Sequence, residues 1–315
     1  MRPFFRAGMF SLILVVLSAA AGLAADAPLV GVCWYKKSGM AERVLKGFSE
    51  EMKKRGDPVR LAVKANLPDA DAAKAAIATF LTEGAKGVVC LRSDGAKLLV
   101  EAKLPVPGFI GAAGNPIELG VCTDPAAPDK NITGVTYYLP ADPVFGIYRQ
   151  IWPEFKKVGL LVQKGHPGAP IEIAAVKAWC AANGATLQAE ECAEKATLAK
   201  VLSTMRDNAD LIIGGNQGLL IDNGQLVGQV AGKTPYVSFA EKPVTDRHAL
   251  LGVVPDDEKL GRQLAAAVIA VVIEGKPVAQ VAITEDAAPR LLVNGAKAKA
   301  AGITIPAALN ATVLE

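Results

Sequence analysis

Asn131-Ile-Thr-Gly-Val-Thr-Tyr-Tyr-Leu-Pro140 decides how the chain is divided, because the sequence on either side of it reads as one kind of structure written twice. Strand-like and helix-like segments alternate from Leu29 to Asp124, and the alternation restarts at Val158 and runs to Phe239. Val135, Thr136, Tyr137 and Tyr138 form a stiff, strand-like run, with Gly134 at its start where a bend is needed and Pro140 at its close. Such a stretch is suited to carry the chain from one lobe to another, and a hinge of this kind predicts a cleft beside it where a small ligand sits. The alternative is an ordinary edge strand within one larger sheet.

Working outward, Leu29–Tyr35, Gly87–Leu91, Val158–Gln163 and Asp210–Gly214 are continuous apolar runs of strand length, as in parallel sheets covered on both faces. Val59–Val63, Pro107–Ile110, Leu119–Cys122, Thr186–Glu190, Tyr236–Phe239 and Leu250–Val254 are further strands in this reading. Between them lie helical segments with one apolar face, such as Val44, Leu45, Phe48 and Met52. Strand, helix, strand at this spacing means right-handed crossovers. The fold class is therefore α/β, with two doubly wound parallel-sheet lobes joined by several crossings. The expected division is lobe 1 at 26–134 plus 255–282 and lobe 2 at 135–254 plus 283–315. Asp256-Asp-Glu258 caps a long helix reaching Glu274, and one more strand, Leu291–Val293, precedes Pro306, where the ordered pattern ends.

The first 25 residues place Arg2 and Arg6 before a short apolar run and an Ala-rich exit, the layout of a cleavable signal peptide. Its removal leaves 32 basic against 31 acidic residues, from 34 and 31 in the whole chain. That near-neutral balance, with 5% aromatic residues and no basic block among them, argues against nucleic acid as a partner. About 290 mature residues exceed what one core usually organises. Five cysteines, an odd number, include Cys33, Cys90 and Cys122 inside apolar runs, where a thiol acts as a small buried hydrophobe. A Cys33–Cys90 disulfide is open only if their strands pair with suitable geometry.

Chemistry-bearing motifs are missing where an enzyme would need them. There is no GxGxxG, GxSxG or HExxH, and Gly232-Lys-Thr234 lacks the upstream glycine and the preceding strand of a phosphate loop. His166 and His248, with dissimilar flanks, offer no metal-ligand spacing. Neighbouring Asp256 and Asp257 at a helix start read as capping residues rather than a catalytic pair. No cofactor is implied.

Four segments resemble the TrpX-like family of periplasmic substrate-binding proteins that serve ABC importers: Asn131–Pro140, Val158–Pro170, Asp256–Val278 with Leu260-Gly-Arg262 and Gly275-Lys-Pro277, and Leu291–Pro306. The resemblance covers essentially the whole mature chain in order. It implies a type I periplasmic-binding fold that closes on a small-molecule ligand and delivers it to an ABC-type membrane permease, as an exported, periplasmic and monomeric protein without enzymatic activity. The chain departs from the family where Arg92-Ser93-Asp94 follow the third strand, where Val162–Gly165 replace a Tyr-Asn-Pro-Gly loop, and where Glu241-Lys242 and Asp257-Glu258 stand. An amino-acid ligand is therefore not carried over; an amino-acid-like solute or another small anion is expected. The same fold as a sensory receptor domain, and an exported α/β hydrolase, are the competing readings.

Ligands of parallel sheets bind outside the carboxyl ends of the strands. The expected site residues are therefore Tyr35, Lys36, Ser38, Arg92, Ser93, Gly114 and Asn115 from lobe 1, Tyr137 from the connector, and His166, Asn216, Gln217 and Glu241 from lobe 2. Lys36, Lys37 and Arg92 would form a cationic wall for a carboxylate, Arg92 with bidentate geometry, although long basic side chains in loops commonly face solvent.

Overall fold

Apolar runs with no alternation must be covered on both faces, and the structure, a computed structural model describing residues 27–315, meets that demand twice. The signal-peptide expectation falls outside the described residues. The first lobe begins β1 (Leu29–Tyr35), α1 (Gly39–Lys54), β2 (Arg60–Leu67), α2 (Ala70–Thr82), β3 (Gly87–Leu91), α3 (Arg92–Ala102), β4 (Gly108–Ala113) and β5 (Ile132–Thr136). These strands form a parallel five-stranded sheet in the order β2-β1-β3-β4-β5. The connector's strand is thus the edge of the first sheet, and the crossing itself is Tyr137–Pro140. Gly134 sits at φ 132°, and a Cβ there would strike the Ile110 backbone, so glycine permits the tight β4–β5 approach at a register shift.

The second lobe contains α4 (Ala141–Ile151), β6 (Lys157–Gln163), α5 (Ala169–Ala182), β7 (Thr186–Cys192), α6 (Lys195–Arg206), β8 (Leu211–Gly214), α7 (Gly218–Asp222), α8 (Gly224–Ala231), β9 (Tyr236–Ser238), α9 (Glu241–Thr245) and β10 (Leu251–Val254). The chain then returns to the first lobe as α10 (Asp257–Val268), continued by a π-helical turn over Ile269–Ile273. It runs beside β5 at Thr284, crosses a third time, and ends in the second lobe as β11 (Arg290–Asn294), α11 (Gly295–Ala300) and β12 (Thr312–Leu314). The second sheet has the order β12-β11-β10-β9-β8-β6-β7.

Several expectations change in detail. β11 is antiparallel to β10, because the returning chain enters the lobe from the hinge, where the parallel strands end. A strand beyond Pro306, β12, pairs with β11. Leu119–Cys122 is not a strand: turns closed by Leu119 N–H to Asn115 O and Gly120 N–H to Ile117 O hold it, and Leu119, Val121 and Cys122 are buried as cover for the first sheet. Cys33 and Cys90 do face each other in register across β1 and β3, but as free thiols with sulfurs 3.7 Å apart.

Each sheet is sandwiched. On one face of the first, Val44, Phe48 and Met52 of α1 join Leu260, Leu264 and Val268 of α10 over Val30, Val32 and Trp34. Burying a side chain of that kind fully contributes about 1.5–3 kcal/mol. In the second lobe an aromatic group forms the equivalent centre, with Phe145 stacked on Trp179 at 4.1 Å between centroids.

Helices α1 and α10 meet backbone to backbone. A Cβ on Gly47 would collide with the Glu258 carbonyl, and one on Gly261 with the Val44 carbonyl. Gly261→Ala is therefore expected to force the helices apart and lower stability by about 1–3 kcal/mol, the usual range for overpacking, as read from urea unfolding. An unchanged midpoint would show that the contact has slack.

Candidate ligand-binding cleft

The strand orders locate the site before any side chain is considered. In lobe 1, β2 lies on one side of β1 and β3 on the other; in lobe 2, β7 and β8 flank β6 in the same way. Each arrangement opens a crevice where the order reverses, at the carboxyl ends of the central strands. The loops after β1 and β3 face the loops after β6 and β8 across a cleft of about 470 Å³. Lobe 1 supplies Lys37, Ser38, Arg43, Arg92 and Ser93 to its surface, and Tyr137 lines it from the first crossing. Lobe 2 supplies His166, Asn216, Asp222, Phe239 and Glu241, and Pro255 and Asp257 come from the second crossing.

Arg92 begins α3 directly rather than preceding it in a loop, and does so at φ 71°, a backbone region that side-chain-bearing residues rarely adopt. Its guanidinium donates to the Tyr35 carbonyl (Nη1, 3.1 Å) and lies 3.3 Å from Asp94, so it is held in place at the cleft wall. Ser93 is buried; its Oγ accepts the Gly114 N–H at 2.9 Å and lies 3.5 Å from the Tyr137 hydroxyl. No side chain caps α3, which leaves its first amides as free donors with the helix's positive pole. Across the cleft, His166 Nδ1 accepts the Gly168 N–H at 3.0 Å, which places the ring proton on Nε2. Burial, reinforced by the charges of Arg92, Lys36 and Lys97 against that of Asp94, depresses its pKa to about 4, so the ring is a neutral donor near neutral pH.

A chain of alternating charges crosses the cleft. Arg43 of α1 bonds Asp257 through Nη2 (2.7 Å) and Nε (2.9 Å), and its Nε lies 3.8 Å from Glu241 of lobe 2, which in turn pairs with Arg290 at 3.1 Å. Burial pushes the Asp257 carboxyl up to about 6 against the lowering pull of Arg43. Asp256 does the capping, accepting the Lys259 N–H at 3.0 Å. Asp257 was not legible as a site residue because a capping pair explains both acids; the signal was that one cap needs only one of them. Asp286 ties the second crossing to the third, accepting the Asp256 N–H (2.9 Å), the Ala288 N–H (3.0 Å) and Lys259 Nζ (2.5 Å).

The remaining expected site residues do not line the cleft. Tyr35 contributes only its carbonyl, to Arg92. Lys36, at φ 60°, turns out to solvent with its ammonium 5.6 Å from the Tyr35 ring centroid. Gly114 and Asn115 stand behind Ser93 and in a turn, the Asn115 Oδ1 accepting the Ile117 N–H at 3.0 Å. Gln217 is buried, its Oε1 accepting the Gln163 N–H at 3.2 Å. Not among the expected site residues were Arg43, Asp222 and Phe239, which line the cleft, and Glu172. Glu172, on α5 between Ile171 and Ile173, has its Oε1 on the Asn216 N–H at 3.1 Å and so fixes the loop after β8. Burial raises its carboxyl to about 7, against the lowering contributions of Gln217 and the Asn216 amide.

Among the described residues no cluster of His, Cys, Asp or Glu could hold a metal ion, and no helix is long and apolar enough to cross a membrane. What the arrangement can do is bind: two lobes, three crossings and a cleft lined by charged and polar side chains define a two-lobed solute receptor. The chain belongs to the ABC transporter substrate-binding protein family, whose sequence model matches residues 36–314. Its relatives include a tyrosine-binding protein of Clostridioides difficile (strain R20291), 20% identical over 271 residues and matched over 84% of this chain and 78% of the relative. Among solved structures, an ABC domain in complex with L-Trp from Streptococcus pneumonia superposes with a TM-score of 0.79 at 20% identity, covering 92% of this chain and 100% of that one. The ligand-free, open structure of a substrate-binding protein with adhesive properties from Clostridium difficile gives 0.77 at 17% identity, covering 91% and 99%. The family and these neighbours are substrate-binding proteins rather than enzymes, and the fold they share is the type I periplasmic-binding fold.

Glu172 gives a pH signature. With its pKa raised from 4.5 to about 7, the folded chain binds more protons than the unfolded chain between those values. This group's contribution to stability therefore falls as pH rises through that window, and the deficit persists above it. Glu172→Gln should remove that deficit, on the order of 3 kcal/mol, so that the variant loses less stability than the parent between pH 4.5 and pH 8 in urea unfolding. Parallel pH profiles for the two proteins would refute the assignment.

Proposed function

We propose that this protein is the exported solute-binding component of an ABC importer, taking an amino-acid-like solute or other small carboxylate into the cleft by lobe closure and presenting it to a membrane permease. The observation that carries this is the convergence of donors where the two crevices meet: Arg92, the free amides of α3, the Tyr137 hydroxyl and, from the opposite lobe, the His166 Nε2–H. Lys37 adds a positive charge without an ion-pair partner among the described residues. A carboxylate satisfies these groups at once, and donors held in advance lose little freedom on binding it. Asp222, on the lobe 2 side and likewise without an ion-pair partner there, suits an ammonium group. The tyrosine and tryptophan named for the relatives are carboxylates of this kind.

Closure follows from the geometry of the crossings. A solute touching Arg92 on one lobe and His166 on the other stabilises the closed arrangement over the open one, shifting the equilibrium by its difference in affinity for the two. The 3.8 Å approach of Arg43 to Glu241 adds an ion pair between the two lobes. In this reading residues 1–25 direct export to the periplasm, the receptor acts as a monomer without a cofactor, and the family match favours transport over sensing.

Mass spectrometry of small molecules released on denaturing the purified protein should reveal a retained carboxylate, and X-ray scattering should show the radius of gyration shrinking when it is added back. A saturating solute with no compaction would count against closure. Arg92→Ala should weaken binding of that solute roughly tenfold or more, the usual loss for a hydrogen bond to a charged group, while the melting temperature moves by only a few degrees. Undiminished affinity would take Arg92 out of the site.

A further inference from the structure

Arg92 and His166 serve the carboxylate end of the cleft, but the part lined from α1 and the starts of α9 and α10 holds acids whose hydrogen-bonding capacity the fold leaves open. Asp257 is 5% exposed, and both contacts from Arg43, Nε at 2.9 Å and Nη2 at 2.7 Å, end on its Oδ2. Among the described residues no group donates to its Oδ1. Capping does not explain this acid, because Asp256 already caps α10. Glu241, from lobe 2, has Arg290 Nη2 3.1 Å from Oε1 and Arg43 Nε 3.8 Å from Oε2. These are ion-pair contacts only: among the described residues its carboxylate accepts no hydrogen bond, and the one Nε proton of Arg43 is engaged with Asp257. Two carboxylates largely withdrawn from water, each with unused acceptor positions, thus reach the same guanidinium from the two sides of the cleft.

The balance of charge says what these acceptors suit. Arg92 is paired with Asp94 and Lys242 with Asp246, neither acid lining the cleft. Lys37 and Arg43 then stand against Glu42, Asp222, Glu241 and Asp257, with Arg290 reaching Glu241 from outside the lining. Burial, to which the Glu241 charge adds, pushes the Asp257 carboxyl up to about 6 despite Arg43 and Arg290. We infer that the solute carries a second cationic group, an ammonium or guanidinium at the end of a methylene chain, and that Asp257 and Glu241 hold it between them. The inference rests on the reading of the cleft as the solute site, with the carboxylate at Arg92 and the ammonium beside it at Asp222. Met40, Ile221 and Phe239 give the same cleft apolar surface against which a methylene chain packs while its charged head stays among polar groups. Hydrogen bonds from a cation to carboxylates are the strong kind, and a site built to receive them rejects an analogue that leaves its acceptors unpaired. With one acid from each side, the contact also favours the closed arrangement.

Two pairs of probes that differ chiefly in the terminal charge test this in isothermal titration calorimetry: L-lysine against L-norleucine, and L-arginine against L-citrulline. The expected result is a preference of about tenfold or more for the cationic member of at least one pair, shrinking to about threefold or less when Asp257→Asn and Glu241→Gln are combined, since these changes keep the shape of both side chains and remove their charge. Equal affinities within both pairs, or a preference that survives the double substitution, would overturn the inference. Should the double variant fail to unfold cooperatively, Glu241→Gln is measured alone, and the ratios in the parent protein still decide whether a second cation is read at all. A panel of neutral amino acids, L-glutamate and small carboxylates separates the two levels of the argument. Binding within that panel but to neither cationic probe would overturn the role given to Asp257 and Glu241 and leave the receptor standing, whereas no binding anywhere would remove both.

Discussion

Two helices more than two hundred residues apart in sequence touch through their backbones, and the architecture of the cleft depends on that contact. Gly47 of α1 and Gly261 of α10 each leave the space that the other helix's carbonyl occupies. The close approach seats Leu260, Leu264 and Val268 in the core of the first lobe, so the chain, having built the second lobe, is drawn back to the first. It also fixes the start of α10 against α1, which puts Asp257 within 2.7 Å of Arg43 and places both at the cleft. Lys46 and Glu258, 2.7 Å apart on the outside of the same pair, add little by comparison, since solvent screens an exposed ion pair.

With the return fixed, the rest is a consequence of duplicated topology. Each lobe reverses its strand order beside its first strand, and each reversal opens a crevice lined by the loops and helix starts that follow parallel strands. Facing the crevices towards each other makes a cleft whose two walls belong to separately folded cores. The crossings are short and mutually tied: Thr284 lies along β5, and Asp286 holds the amides at 256 and 288. Burial pushes the Asp286 carboxyl up, yet the Lys259 ammonium and those amides prevail and hold it below the ordinary carboxylate range. The joint is thus a bundle of strands clamped by one buried acid rather than a slack linker, which suits a rotation of one lobe against the other.

Much of this was legible in the sequence because it rests on local pattern. The unbroken apolar runs at β1, β3, β6 and β8 announce buried parallel strands, and a parallel sheet places its ligand loops at known ends. That is why Ser38, Arg92, Ser93, Tyr137, His166, Asn216 and Glu241 fall on the cleft. What escaped depends on partners remote in sequence or on direction. Nothing local distinguishes β11, which runs against its neighbour, from a parallel strand. Leu119–Cys122 is apolar because it covers a sheet, and burial without pairing leaves the same trace as a strand. Glu172 reads as an exposed helical position until the loop after β8 is seen folded over it. Arg43 gains meaning only from Asp257, which lies 214 positions away.

All five thiols are sealed within the two cores, each at most 3% exposed, and none is bonded to another. A thiol reacts as its thiolate and only when reagents reach it. Burial denies access throughout, and it pushes up the pKa of Cys122, Cys180 and Cys192 and adds to the pull of the Cys33 hydrogen bond on Cys90. In oxidising surroundings the finished molecule is therefore inert, and its exposure to wrong cross-links is confined to the interval before the sheets close. Burial in the finished fold, rather than a set of covalent staples, is what keeps these thiols from reacting.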